Sequence, residues 1–165
     1  MPRPPMTLAA MLLLAAALPA FAGGTATVTF VAPEAFTDAG YARERPTERD
    51  LAALQRDLEA HFQKLAGRYL ADGEMLVIEV LDVDLAGRFE PAARLHDVRI
   101  VRDIDWPRMR LRYTLSRVGL ADPSVEERVS DRSFLMSINP YGSGDRLRYE
   151  KGMLDDWFRQ RFGKR

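Results

Sequence analysis

The stretch Arg108-Met-Arg-Leu-Arg-Tyr-Thr-Leu-Ser-Arg117 decides the fold class, because apolar and polar side chains alternate along its length. Successive side chains of a β-strand point to opposite faces of the sheet. The alternation therefore gives this strand one apolar face and one polar face. The apolar face carries Met109, Leu111, Tyr113 and Leu115, and the polar face carries Arg108, Arg110, Arg112 and Thr114. This pattern is typical of an antiparallel sheet with one face on the core and the other in water.

Segments on both sides of this strand complete the predicted sheet. Residues 124–129 follow a short turn and are predicted to return as its hairpin partner. Upstream, residues 98–104 have strand character, and residues 75–81 are apolar on both faces, which is typical of a central strand. Residues 26–31 alternate and are rich in β-branched side chains, so they are predicted to form the first strand. If it pairs in parallel with the 75–81 strand, the crossover between them should be right-handed.

Two amphipathic helices are predicted to cover the apolar face of the sheet. The first begins at Thr47, where Thr47-Glu-Arg-Asp50 has the pattern of a capping box, and it stops at Asp72-Gly73. The second lies near the C-terminus, and its aromatic stripe is interpreted as core or, if uncovered, as a partner-binding surface. The stripe contains Trp157, Phe158 and Phe162. The order β-α-β-β-β-β-α predicts an α+β fold, with a mainly antiparallel sheet of four to five strands and two helices on one face.

The first 22 residues have the organisation of a cleavable signal peptide. Arg3 supplies the positive charge, residues 8–18 form an uncharged apolar run, and Ala20-Phe-Ala22 is the small-residue pattern that precedes cleavage. The apolar run is too short to span a bilayer as a helix. We therefore expect cleavage after Ala22, a periplasmic location, no transmembrane segment in the mature chain, and a single globular domain over residues 23–165.

Composition excludes several classes of function. The chain has 165 residues, 24 basic and 24 acidic side chains and no cysteine. Its neutral charge argues against nucleic-acid binding, which usually needs a basic excess. The lack of cysteine excludes disulfides, thiolate zinc sites and a cysteine nucleophile. No serine-nucleophile or phosphate-binding motif is present, and no cofactor is predicted.

Two Asp-x-Asp pairs are the candidate chemical groups of the chain. They are Asp82 with Asp84 and Asp103 with Asp105, and Glu90 follows the first pair closely. Residues two apart in an extended segment point the same way, so each pair can present two carboxylates to one cation or substrate. The alternative is that these acids accept hydrogen bonds from loop amides or pair with the abundant arginines. Asp82, Asp84 and Glu90 are the candidate metal ligands.

The only two histidines, His61 and His96, lie far apart in the sequence. A zinc site would require folding to bring both of them together with carboxylates. The alternative is a histidine at the edge of the first helix and another in a loop.

The arginine-rich face of the sheet is a second candidate surface. Arg110 and Arg112 share one strand, and Arg99 is expected on a neighbouring strand. Planar guanidinium groups in this arrangement are suited to an anionic ligand or an acidic partner. The alternative is cross-strand pairing with acids such as Glu126 or Asp103.

Five segments of the chain resemble the bacterial family known as domain of unknown function 3016. They are residues 28–34, 78–87, 107–115, 130–136 and 147–158, and they follow the family's order over essentially the whole mature chain. The chain departs from the family's compact turn at residues 118–123. The resemblance implies an exported protein of a Gram-negative bacterium. It implies no activity, so no catalytic residue can be carried over from the family.

Taken together, these features predict a non-enzymatic accessory or binding protein of the cell envelope. Another envelope protein or a small ligand would bind at the sheet face or at the 82–90 loop. The alternative is a metal-dependent or acid–base hydrolase that uses Asp82, Asp84 and Glu90.

Overall fold

The computed structural model describes residues 23–40, 44–90 and 98–163, and these form two sheets and two long helices. A single 3-10 turn at Pro33–Ala35 follows the first strand. The strands are β1 (Thr25–Phe30), β2 (Met75–Asp84), β3 (Arg88–Phe89), β4 (Arg99–Ile100), β5 (Arg108–Arg117), β6 (Leu120–Ala121) and β7 (Val125–Ser130). The helices are α1 (Glu48–Tyr69) and α2 (Arg148–Phe162).

The main sheet has β2 and β5 at its centre. Strand β1 pairs in parallel with one edge of β2, and β5 pairs antiparallel with the other edge. The free side of β5 then pairs antiparallel with β7 and, beyond it, with the short strand β6. The predicted α+β fold with a mainly antiparallel sheet is therefore confirmed, as is the hairpin partner of β5.

The two faces of the sheet follow the alternation read from β5. Its four apolar side chains are buried in the same core cluster as the inner faces of α1 and α2. On the opposite face, the Arg112 guanidinium lies 2.9 Å from a carboxylate oxygen of Glu79 on β2 and 3.2 Å from one of Glu126 on β7. Cross-strand pairing thus accounts for Arg112, and Arg110 also lies 3.7 Å from Glu126.

Helix α1 begins with the capping box that its sequence predicts. The Thr47 amide donates to Asp50 Oδ2 at 2.9 Å, and the Asp50 amide donates to Thr47 Oγ1 at 3.3 Å. These two bonds satisfy amide groups that the helix itself leaves without partners. Within the described part of the chain, neither helix combines the length and the apolar character needed to cross a membrane.

Helix α2 places its aromatic stripe in the core. Trp157 and Phe158 are buried, and the Trp157 ring meets Tyr113 of β5 edge to face at 5.2 Å between centroids. The indole N–H and the Tyr113 hydroxyl both donate to Glu127 Oε2 on β7, at 3.2 and 3.1 Å. The core interpretation of this stripe is confirmed, because the sheet covers it.

The strand predicted at residues 98–104 is wrong in length and in position. Only Arg99–Ile100 is extended, and it pairs with β3 in a separate two-stranded sheet. The chain then turns, since the Asp105 amide donates to the Arg102 carbonyl at 3.1 Å and the Asp105 carbonyl accepts from the Gly87 amide at 2.9 Å. These turn bonds end the strand, and they place Arg99 away from the face that carries Arg112.

Strand β2 continues through residues that the sequence pattern assigned to a loop. Its pairing with β5 shifts between Val80 and Asp82, so Leu81 is an extra residue in the ladder, a β-bulge. Without the bulge, strict alternation would turn Asp82 toward the core side that Val80 occupies. With it, Val83 packs inward opposite Met109, and the carboxylates of Asp82 and Asp84 lie on the outer face.

Candidate functional site

Asp82 and Asp84 lie side by side at the end of β2, as the sequence predicts for an Asp-x-Asp pair. Both oxygens of Asp82 accept hydrogen bonds from Thr37, one from its amide at 2.7 Å and one from its hydroxyl at 2.8 Å. Asp84 is only 6% exposed, and it accepts a hydrogen bond from Arg108 Nε at 2.5 Å. The two acids share a cavity of about 220 Å³ with Arg108, Arg110 and Arg128.

Glu90 directly follows β3 and is held elsewhere, by an ion pair with Arg102, which follows β4. It is not among the residues that line the cavity shared by Asp82 and Asp84. Asp105, from the second Asp-x-Asp pair, accepts a hydrogen bond from Arg88 Nε at 2.6 Å. Among residues 23–40, 44–90 and 98–163, no three or more histidine, aspartate or glutamate side chains are arranged to hold a metal ion.

The two Asp-x-Asp pairs nevertheless act on one arginine. The pKa of Arg88 is raised first by its hydrogen bond to Asp105 and then by the Asp105 charge. The charges of Asp84 and Asp38 add smaller increases. One carboxylate of each pair therefore favours the charged form of Arg88, Asp105 by direct contact and Asp84 by its charge alone.

His61 is a buried link between the two helices. It is 4% exposed, and its Nε2 lies 3.2 Å from the Lys151 carbonyl and 3.1 Å from Asp155 Oδ1. Burial lowers the pKa of His61, against a smaller opposing effect of Asp155. The Tyr141 hydroxyl donates to the other oxygen of Asp155 at 2.8 Å. The second histidine, His96, and the cleavage-site residues Ala20 and Ala22 lie outside the described residues.

Arg99 ties the 85–87 loop to the segment that follows β1. Its Nη1 donates to the carbonyl oxygens of Gly87 at 2.5 Å and Ala86 at 3.3 Å. Its Nη2 donates to Asp38 Oδ1 at 2.6 Å and to the Gly40 carbonyl at 3.0 Å. One guanidinium thus fixes three backbone carbonyls and one carboxylate, which orders the loop after β2.

Glu150 enters the same region from the first turn of α2. The residue is 2% exposed, and its Oε1 accepts a hydrogen bond from the Ala86 amide at 2.8 Å. Its Oε2 is buried and has no hydrogen-bond partner among the described residues. Burial raises the pKa of Glu150 to about 7, although the Ala86 amide and the Arg99 charge act in the opposite direction. Both protonation states are therefore accessible near neutral pH.

These groups border a cavity of about 280 Å³ between the 85–87 loop, β4 and the start of α2. We call it the arginine cavity, since its lining includes Arg99, Arg146, Arg148, Glu150, Leu85 and Ser143. The Nε atoms of Arg99 and Arg148 are buried and lack a hydrogen-bond partner in the described part of the chain. The Asp145 carboxylate, which also lines it, is bound by Lys151 Nζ at 2.7 Å. Three guanidinium groups and two carboxyl groups therefore line the cavity.

Sequence reasoning missed Glu150 and its link to Arg99. The sequence of α2 nevertheless contains one indication that Glu150 is buried. Glu150 follows Leu147 by three residues and precedes Leu154 by four, so it lies in the apolar stripe of α2. A carboxylate at a stripe position is expected to be buried, and a buried carboxylate needs a specific partner.

Gly87 is required by the close approach of β4 to the loop. Its φ is +78°, and a Cβ placed there would lie 2.5 Å from the Ile100 carbonyl oxygen. We expect Gly87→Ala to lower the free energy of unfolding by about 2 to 3 kcal/mol, because it adds this clash to the cost of a left-handed backbone. Urea denaturation would measure the loss.

Gly119 is the matched control for this substitution. Its φ is +76°, and a Cβ there would meet nothing within 4 Å. Gly119→Ala should therefore lower the free energy of unfolding only by the cost of a left-handed backbone at alanine, about 1 kcal/mol. Equal losses for the two variants would show that the contact with Ile100 does not matter.

Comparison with known proteins places this fold in a family. The family model described as "Protein of unknown function (DUF3016)" matches residues 24–160. The match begins just before β1 and ends within α2, so it includes the arginine cavity. Searches of curated proteins and of solved structures found no match. The chain belongs to the DUF3016 family, the family that its sequence segments resemble.

Proposed function

We propose that this protein is exported to the periplasm after removal of residues 1–22, and that it acts in the cell envelope by binding rather than by catalysis. The charged start, apolar run and Ala20-Phe-Ala22 pattern support export. One observation carries the binding function. The arginine cavity brings together buried polar atoms that have no partner within the described protein.

Buried polar atoms are normally satisfied by hydrogen bonds, and an exception calls for an explanation. Glu150 Oε2, Arg148 Nε and Arg99 Nε are three such exceptions, and all three residues line one open volume. A molecule bound in this volume would supply the missing partners. The volume, about 280 Å³, is near the lower end of the range for small-molecule sites. A small ligand therefore fits this site better than a protein segment does.

The location agrees with the segment that the sequence singled out for binding. Leu85 and Ala86, from the 82–90 loop, form one wall of the arginine cavity. The carboxylates of the hydrolase alternative have other partners. Thr37 binds both oxygens of Asp82, and an arginine binds each of Asp84 and Glu90. These bonds hold loops on the sheet, which favours a scaffolding role for the three acids.

Mass spectrometry of the protein released from the periplasm tests export and binding together. Under denaturing conditions, we expect a mass that begins at Gly23. Under native conditions, we expect an additional small molecule bound to the protein. An intact mass that retains residues 1–22 would contradict the proposed cleavage after Ala22.

A variant that fills the cavity provides the control for binding. Ser143 is exposed and borders the arginine cavity, so Ser143→Trp should block it without disturbing the core. Ser124 is also exposed and lies away from that lining, so Ser124→Trp should retain the bound molecule. Retention of the molecule by Ser143→Trp, or its absence from the unmodified protein, would contradict binding at this site.

A further inference from the structure

We propose that the arginine cavity binds a small oxyanion, such as a carboxylate or a tetrahedral oxyanion of the phosphate kind, and that Glu150 in its acid form donates a hydrogen bond to it. This inference rests on the proposed binding function and adds the chemical class of the ligand. It also assigns a specific role to one side chain of α2.

The first argument is the charge of the cavity wall. Arginine keeps its positive charge at all relevant pH values, and its fork of N–H groups matches carboxylate and phosphate oxygens. Arg99 is neutralised by Asp38 at 2.6 Å, and the Asp145 carboxylate by Lys151. Arg148 makes a cation–π contact with Tyr149, and this neutral ring does not neutralise the Arg148 charge. An anion in the cavity would therefore meet a net positive wall.

The second argument is the kind of polar atom that lacks a partner. Arg99 Nε and Arg148 Nε are N–H donors, and both are buried without an acceptor in the described chain. The first turn of α2, which carries Arg148, also directs the positive end of the helix dipole toward the cavity. The two N–H donors and the positive end of the helix dipole both favour a ligand that accepts hydrogen bonds. An oxyanion meets this requirement, whereas an ammonium group does not.

The third argument is the geometry of the Glu150 carboxyl. Its Oε1 accepts from the Ala86 amide, so the proton of the acid form belongs on the unpartnered Oε2. The O–H there can donate to an anion in the cavity. In the ionised form, Oε2 would instead oppose the anion with a second negative charge. The anion and the proton of Glu150 should therefore bind together.

The charged groups that line the cavity around Glu150 come from three segments. They are Arg99 from β4, Arg148 on the same helix, and Arg146 and Asp145 from the segment before that helix. Burial would raise the pKa of Asp145, but the hydrogen bonds from Lys151 and from the Leu147 amide lower it overall. Asp145 therefore stays ionised at neutral pH. Glu150 is the group whose titration changes the cavity between pH 6 and 8.

Isothermal titration calorimetry of the exported protein tests the ligand class. Sulfate and succinate serve as tetrahedral and carboxylate probes, with putrescine as a cationic probe and glycerol as a neutral one, at constant ionic strength from pH 6 to 8.5. We expect at least one anion to bind and putrescine and glycerol not to bind. Above about pH 7, the affinity for the anion should fall about tenfold per pH unit, since each bound anion requires one proton on Glu150.

Glu150→Gln is the decisive variant, because its amide resembles the acid form at every pH. The amide oxygen can still accept from Ala86, and the NH₂ group replaces the O–H donor. This variant should bind the anion without the loss above pH 7. Arg148→Leu should weaken binding at least tenfold. Arg132→Leu removes a guanidinium that stacks on Trp106 at 4.9 Å outside the cavity, and it should leave the affinity unchanged.

The outcomes separate this inference from the proposed function. The same pH dependence in Glu150→Gln and in the unmodified protein would overturn the role of Glu150 while leaving the cavity as a binding site. A native adduct that Ser143→Trp removes, combined with no binding of either anion, would overturn the ligand class alone. No adduct and no probe binding would overturn both proposals.

Discussion

Replacement of Arg99 by methionine is expected to lower the free energy of unfolding by about 3 to 5 kcal/mol, as measured by urea denaturation at pH 7. The Arg99 side chain is 12% exposed, and its ion pair with Asp38 is 2.6 Å long. Methionine keeps an unbranched apolar stem in place of the aliphatic part of Arg99, but it leaves the Asp38 carboxylate without its cation. The carbonyl groups of Gly87 and Gly40 also lose a charged donor. Removal of one partner from such a buried network costs far more than the net stabilisation that the intact pair provides.

Arg88 provides the control for this prediction. It lies in the same small sheet and bonds Asp105 at 2.6 Å, but its side chain is 61% exposed. Arg88→Met should therefore cost no more than about 1 kcal/mol, the usual value of an exposed ion pair. The prediction for Arg99 fails if the two variants lose similar amounts.

A second substitution shows where the cost of Arg99→Met arises. If the unpaired carboxylate dominates, Asp38→Asn in the Arg99→Met background should restore part of the lost stability, because the amide carries no charge. No recovery would assign the cost to the backbone carbonyls of the 85–87 loop. In either case, disorder of that loop should also impair the arginine cavity, of which Ala86 is one wall.

The elements that the sequence predicts correctly are those specified by local patterns. The alternation along β5, the capping box at Thr47 and the stripe of α1 each depend on residues that are close in the chain. The parallel pairing of β1 with β2 also agrees with the helix between them. These patterns suffice for the α+β class and for the division of the main sheet into a core face and an arginine face.

The errors occur where pairing with a distant segment decides the structure. The bulge at Leu81 exists because β5 dictates which side chains of β2 face the core, and no property of Leu81 itself marks it. Residues 98–104 have the composition of a strand, but only β3 pairs with them, and only over two residues. Strand propensity in such a segment is overridden by the partners that are available.

The candidate site was predicted in part. Asp82 and Asp84 do share one face and one cavity, as the spacing of two residues predicts. Glu90 pairs with Arg102 and does not line their cavity, because proximity in sequence does not determine the path of the chain after β2. The arginine cavity depends on Arg99 and Glu150, which are 51 positions apart in the numbering and meet only through tertiary folding. Without the fold, nothing connects these two residues.

Glu150→Gln is expected to make the protein more stable at pH 8 than the unmodified chain, by up to about 3 kcal/mol. The unfolded chain releases the Glu150 proton near its ordinary pKa of 4.5, whereas burial raises the pKa in the folded protein to about 7. Between these values the folded state holds a proton that the unfolded state has lost. The stability contributed by this group is therefore complete below about pH 4.5, and it is lost as the pH rises through 7.

Glutamine cannot ionise, so Glu150→Gln should not lose stability as the pH rises through 7. Urea denaturation of both proteins at pH 5 and pH 8 should show a small difference at pH 5 and a larger gain for Glu150→Gln at pH 8. A difference that does not change with pH would mean that the folded protein does not hold the proton at Glu150.

Glu127→Gln is a control in which the change in stability at pH 8 should have the opposite sign. Burial favours its acid form, but hydrogen bonds from Arg161 and Trp157 outweigh that effect and lower its pKa. The ionised form of Glu127 therefore stabilises the fold above its unfolded pKa, and Glu127→Gln should destabilise the protein at pH 8. Opposite responses of the two variants would tie each effect to its own site, because a general change in net charge would shift both in one direction. On the proposed function, an anion that returns the proton to Glu150 would also recover the lost stability.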